Sequence, residues 1–238
     1  MIVFSTRTVK EIRELARLTR LAEPVRMGST PLILASTSPY RRELLARLQL
    51  AFDVVNPAID ETPRRGEAPD ALALRLAVEK ARSAAARFPD ALVIGADQVA
   101  VLGAQVLAKP LTHANAVAQL RAMRGQRVRF LTAVAVVRSA DHETRTRLVP
   151  CDVDFREFSD DAIERYLRAE QPYDCAGAAK IEGLGIALVR RLAGEDPTAL
   201  IGLPLIALVE LLGELGCDVL AEPAGPSQGR TPSAGARG

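Results

Sequence analysis

The stretch L-I-L-A-S-T-S-P-Y-R-R-E-L-L, residues 32–45, restricts the fold of this chain more than any other segment. Leu32 to Ala35 reads as a short buried strand, four apolar residues with no polar face. Ser36, Thr37 and Ser38 follow as a hydroxyl-rich turn. Pro39 suits the first turn of a helix, because its missing N–H would have had no intrahelical partner. The helix is expected over Tyr40 to Leu48, with Leu44, Leu45 and Leu48 on one apolar stripe. A strand feeding such a turn leaves free backbone N–H groups and a partial positive charge at the helix start, which together seat an anion. Arg41 and Arg42 add two cations in the first turn, where the helix dipole opposes them. That placement points to phosphate, although a plain turn capped by Ser38 with solvated arginines would carry the same letters.

Beyond this unit the chain alternates strand-like and helix-like segments, as α/β or mixed α+β folds do. A helix is expected over Asp70 to Phe88 and a short apolar strand over Ala91 to Gly95. Val128 to Val137 and the alternating stretch from Val149 to Phe155 read as a hairpin about the polar turn at Ser139 to Glu143. Ser159 caps a helix to about Ala169, and Leu203 to Leu215 forms an amphipathic helix stopped by Gly216. The tail from 221 to 238 has no apolar residue larger than Ala and is expected to be disordered. Residues 1–26 form an N-terminal extension, with Met27 the expected natural start, so one domain is expected over 27–220.

Composition excludes several function classes. Net charge is +2, and the chain has no Trp and only 4% aromatic residues, so neither a nucleic-acid footprint nor a base-stacking platform is present. No apolar run reaches the roughly 18 residues a membrane helix needs. Cys151, Cys175 and Cys217 are odd in number and far apart, which excludes a disulfide framework or a C-x-x-C motif and fits reduced, cytoplasmic thiols. His113 and His142 share no metal-ligand spacing, arguing against zinc or Ser-His-Asp hydrolysis.

The remaining polar candidates cluster beside apolar strands. Asp97 follows A-L-V-I-G directly, a position for a general base or a metal ligand, with Gly95 permitting close backbone approach. A turn residue would look the same. Asp60 and Glu61 could hold Mg²⁺ or Mn²⁺ beside phosphates, or form a charged turn. Lys80 and Lys109 stand out because Arg is the default cation here, and a compact ammonium approaches a phosphate oxygen where a guanidinium does not fit. As an ordinary residue, Lys80 would be a surface lysine paired with a local acid. The late blocks D-C-A-G-A-A-K-I-E-G-L-G-I and G-E-D-P-T-A-L-I-G-L-P-L-I match neither a Walker A loop nor G-x-G-x-x-G.

Taken in order, S-T-S-P-Y-R-R-E-L-L, Ile59-Asp60-Glu61, Lys80-Ala81, G-A-D-Q, Lys109-Pro110 and I-E-G-L-G with G-L-P-L resemble the Maf-like nucleoside triphosphate pyrophosphatases, from about Leu32 to Gly216. The dTTP- and UTP-acting members look like S-x-S-P-R-R, G-A-D-T and I-Q-G at three substrate-selecting places. This chain has Tyr40, Gln98 and Glu182 there, and its C-A-G and E-D-P-T-A-L blocks resemble the 7-methyl-GTP branch. A methylated guanine is cationic, so Tyr40 can stack on it and Glu182 can accept from its N1–H and amino group.

The resemblance implies an elongated twisted mixed sheet with flanking helices and a cleft between two lobes, as in inosine triphosphatase-like proteins. It implies hydrolysis of 7-methyl-GTP to 7-methyl-GMP and pyrophosphate, with Asp97 as catalytic base. Ser36, Ser38, Arg41, Arg42, Lys80 and Lys109 would hold the phosphates, and Glu61 would help hold a divalent cation. Two alternatives stay open: a broader dTTP, UTP or CTP pyrophosphatase, and a nucleotide-binding regulator of septum formation. The implied partners are a nucleoside triphosphate and, as one option, a second copy in a homodimer.

Overall fold

The computed structural model describes residues 30–221. The expected extension over 1–26 and, Ala221 apart, the expected disordered tail lie outside these residues. The described chain forms a mixed α/β fold on a seven-stranded sheet. Strand β1 (Leu32–Ala35) leads through the serine turn into helix α1 (Pro39–Ala46), and β2 (Asp53–Val55) returns beside β1. Helix α2 (Pro69–Ala85) precedes the long strand β3 (Leu92–Leu102), which turns back on itself through β4 (Gln105–Leu107). Helix α3 (His113–Met123) is followed by the hairpin of β5 (Arg127–Arg138) and β6 (Glu143–Phe155). Helix α4 (Asp160–Glu170), strand β7 (Val189–Gly194) and helix α5 (Leu205–Glu214) complete the described fold.

The sheet order is β2-β1-β3-β5-β6-β7, with β4 on β3. Only the β2-β1-β3 edge is parallel; every pairing beyond it is antiparallel. Strand β1 is buried on both faces, which is why it reads as a continuous apolar run rather than an alternation. Leu32 and Leu34 pack under α1 and α5, while Ile33 and Ala35 pack on the alanine-rich face of α2. A third core joins β4, α3, α4 and the far ends of β5 and β6. Strand β3 runs through all three: Ile94 and Ala96 feed the first, Val93 and Val99 the second, and Ala100 the third.

Several expected bounds need correction. The helix expected over Asp70 to Phe88 ends at Ala85, and the strand expected from Val149 already begins at Glu143, because it pairs with β5 from there to Asp154. The helix expected to reach Leu48 ends at Ala46, and Leu48 packs half-buried after it. The strand expected over Ala91 to Gly95 continues to Leu102, so Asp97 lies inside β3, opposite Ala133 of β5. The end that matters belongs to the neighbouring strand. Strand β1 stops at Ala35, paired with Gly95, so β3 loses its β1 partner just before Asp97.

Candidate active site

Gly95 explains how the site is assembled. A Cβ there would lie 2.1 Å from the Ala77 carbonyl oxygen and 2.7 Å from the Ala81 nitrogen, so only glycine lets α2 lie this close to β3. On that close face Lys80 continues the stripe of Ala73, Leu76 and Ala77, and it is buried with them. Its ammonium reaches Asp97 Oδ1 at 2.6 Å and Glu61 Oε1 at 2.8 Å. Lys80 and Asp97 are only 5% and 7% exposed, so their pair is desolvated. Asp97 Oδ2 has no hydrogen-bond partner among the described residues.

Glu61 arrives on the loop before α2, and Arg75 staples that loop in place. The Arg75 guanidinium donates to Glu67 through Nε and Nη2 and to the Thr62 carbonyl. Burial raises the Glu61 carboxyl, but the hydrogen bond and charge of Lys80, backed by Lys109 and Arg41, outweigh it and hold the group below its ordinary value. The adjacent Asp60 turns away and accepts the Thr62 N–H at 2.9 Å. Lys109 is exposed, and the segment around it is tied to α3, where Asn115 and Gln119 donate to the Pro110 and Ala108 carbonyls.

The serine turn supplies the opposite wall. Ser38 caps α1 by accepting the Arg41 N–H, and the Ser36 hydroxyl accepts the Ser38 N–H at 3.1 Å. Ser36 is buried, and its own proton has no acceptor among the described residues. Arg41 Nε donates to the Gly202 carbonyl at 2.8 Å. Desolvation lowers the affinity of this guanidinium for its proton, while the charges of Asp97 and Glu61 pull the other way. Arg42 points out of the cluster: it is exposed and makes no ion pair among the described residues.

The three residues expected to select the substrate divide between two places. Gln98 Nε2 faces the Thr132 hydroxyl and the carbonyls of Ala199 and Leu200, all at 3.0 Å. Tyr40 and Glu182 belong to a second group with Lys180, Glu170, Asp174 and Cys175. The Lys180 ammonium lies 5.6 Å from the Tyr40 ring centroid and 2.7 Å from Glu170 Oε1. Glu182 reaches solvent, yet the protein around it, and then Glu170 and Asp174, raise its carboxyl above the ordinary value against the pull of Lys180. Burial, then Asp174, pushes the Cys175 thiol up to about 12, so it stays protonated and unreactive.

Sequence reasoning assigned no role to Thr132, Glu170, Lys180, Asp196 or Thr198. Thr132 left a signal, a hydroxyl inside the apolar run F-L-T-A-V, and it is fully buried. Lys180 was visible as one of few lysines, but its partner Glu170 lies on another element and had no local mark.

Among the described residues no three His, Cys, Asp or Glu side chains gather as a metal cage. Lys80 holds Glu61 Oε1 and Asp97 Oδ1 on one nitrogen, so the two carboxylates lie side by side with their second oxygens uncommitted to it. One or two carboxylates completed by substrate phosphates is the donor set Mg²⁺ ordinarily takes, and these residues fit it. Nor is any helix among the described residues long and apolar enough to cross a membrane.

A family model described as Maf-like protein matches residues 31–215. The chain is 58% identical over 190 residues to a 7-methyl-GTP pyrophosphatase of Methylobacillus flagellatus, a match covering 80% of this chain and 99% of that relative. It is 59% identical over 189 residues to a protein of the same name from Nitrosospira multiformis, covering 79% and 96%. A 7-methyl-GTP pyrophosphatase of Thiobacillus denitrificans is 56% identical over 196 residues, covering 82% and 98%.

Proposed function

The chain belongs to the Maf family, and on that footing we propose that it hydrolyses 7-methyl-GTP to 7-methyl-GMP and pyrophosphate, removing a modified nucleotide. The observation that carries the reading is the buried Lys80–Asp97 pair, set where β1 gives way to the serine turn and Arg41. Phosphate enters from the turn: the Ser36 proton, the N-terminus of α1 and the terminal nitrogens of Arg41 are the donors. Lys80 occupies Asp97 Oδ1, so Oδ2 is the oxygen that orients water and takes its proton. The water oxygen bonds to the α-phosphorus, the bond to the bridging oxygen breaks, and pyrophosphate leaves with that electron pair. Lys80 and Lys109 stabilise the charge that develops on the phosphates. A divalent cation held by Glu61 and the substrate phosphates would supply further charge neutralisation at the phosphate oxygens.

Base preference is read from the second group. Its carboxylates, Glu170, Asp174 and Glu182, outnumber its one ammonium, Lys180, so the surroundings of Tyr40 favour a cationic base over a neutral one. That the Tyr40 ring already attracts an ammonium supports its use as a cation–π face. The three free thiols support a reducing, cytoplasmic setting.

A substrate panel of 7-methyl-GTP, GTP, dTTP, UTP and CTP, with pyrophosphate detection, tests the proposal. The expected result is the highest kcat/KM for 7-methyl-GTP. Equal kcat/KM for dTTP and 7-methyl-GTP would overturn the substrate assignment and leave a broad pyrophosphatase. Binding without pyrophosphate release from any of them would leave a nucleotide-binding regulator.

A further inference from the structure

Asp196 is a charged side chain only 3% exposed, and the chemistry above does not use it. Its Oδ1 accepts the Thr198 N–H at 2.8 Å and the Thr198 hydroxyl at 2.6 Å, and its Oδ2 accepts the Ile206 N–H at 2.8 Å. Thr198 Oγ1 in turn accepts the Leu205 N–H at 2.8 Å. The Asp196 carboxylate therefore ties both ends of the segment 196–206, and together with Thr198 it satisfies two N–H groups at the start of α5, Asp196 taking that of Ile206 and Thr198 that of Leu205.

Between the knotted ends the chain bulges through Ala199–Ile201 and reverses at Gly202, whose φ is +117°. The carbonyls of this bulge reach three other elements. Ala199 accepts from Thr132 on β5 at 2.8 Å and from Gln98 on β3 at 3.0 Å. Leu200 also accepts from Gln98, and Gly202 accepts Arg41 Nε from α1 at 2.8 Å. A carbonyl can only accept, so the bulge dictates orientation. Gln98 must turn its amino end toward it, which leaves Oε1 as the end free for a ligand. Arg41 must commit Nε, which leaves the two terminal nitrogens for phosphate.

We propose that Asp196 is a positioning residue: by tying segment 196–206 into a fixed strap of carbonyls, it sets the orientation of both the Gln98 amide and the Arg41 guanidinium. Base selection and phosphate grip then share one anchor. This rests on the reading of Gln98 and Arg41 as substrate-contacting groups.

The test is a set of kinetic cycles run well below each variant's melting temperature. Asp196→Ala is measured in the wild-type, Arg41→Ala and Gln98→Ala backgrounds, alongside Thr198→Val and Thr198→Ser in the wild type. Asp196→Ala is expected to lower kcat/KM for 7-methyl-GTP about tenfold or more, because small misplacements of binding groups are costly. Its further cost should shrink by at least about threefold in each background already lacking a positioned group, since residues acting through one another are not additive. Thr198→Val should follow Asp196→Ala in direction, and Thr198→Ser, which keeps the hydroxyl, should restore kcat/KM. A folded Asp196→Ala enzyme with wild-type kcat/KM overturns the proposal, as does a loss of equal size in all backgrounds, which marks a helix cap and nothing more. If Asp196→Ala does not fold, the same cycles with Thr198→Val decide the matter by the same criteria. Should the wild type prefer another triphosphate, the substrate reading falls by itself, and the coupling is measured on that triphosphate.

Discussion

Replacing Lys80 with Met keeps the length of the side chain and removes its charge, which isolates the ion pair at the centre of the site. Asp97 would then sit 7% exposed with no cation on its carboxylate. Removing one partner of a buried pair costs about 3–5 kcal/mol, chiefly because the other charge is left uncompensated. The Glu61 contact adds little to that figure, since its side chain is 54% exposed and the pair is screened. At about 2–4 °C per kcal/mol for a domain of this size, Lys80→Met should melt roughly 6–20 °C below the wild type. The double variant Lys80→Met/Asp97→Leu removes both charges with side chains of similar volume, and should recover most of that loss. Activity should behave in the opposite way: pyrophosphate release from 7-methyl-GTP should be lost in the single variant and stay lost in the double. Calorimetric melts with a turnover assay on the same preparations read both quantities. A Lys80→Met melt within about 2 °C of the wild type would refute the reasoning, because it would mean Asp97 does not depend on Lys80 for compensation.

Arg41→Ala should raise KM by roughly ten- to a hundredfold for every triphosphate alike, since a phosphate contact carries no base information, whereas Arg42→Ala should stay within about threefold; an equal loss at Arg42 would show that it swings inward on binding. Glu182 titrates above an ordinary glutamate, so its charge is present at higher pH and lost as pH falls through that raised value. The ratio of KM for GTP to KM for 7-methyl-GTP should therefore fall as pH is lowered from neutrality, Lys180 keeping its charge throughout, and Glu182→Gln should flatten the dependence; a ratio unchanged by pH in the wild type would remove Glu182 from base selection.

What was legible in the sequence was whatever a local pattern could carry. The strand-turn-helix at Leu32 to Ala46 was readable because burial on both faces, a serine cap and a proline each leave a mark within a few residues. Lys80 was legible in principle for the same reason: it falls at the i+3 position from Ala77 on a stripe that is otherwise Ala and Leu, where a surface lysine does not belong. Asp97 was singled out for a partly wrong reason. The A-L-V-I-G run suggested a strand ending at Gly95, but the strand continues, and the opening beside Asp97 exists because β1, more than fifty residues earlier in the chain, stops there. Strand length is a property of pairing partners, and one segment does not hold it. The strap is the extreme case. Ala199, Leu200 and Gly202 act through backbone carbonyls, and Gly202 meets Arg41 across 161 positions. Every residue has a carbonyl, so no letter marks the ones that orient a side chain. What the letters do mark is the device that fixes such carbonyls. In this chain that device is the D-P-T of Asp196 to Thr198, an acid and a hydroxyl two residues apart at the entry to a helix, where their natural task is to satisfy N–H groups.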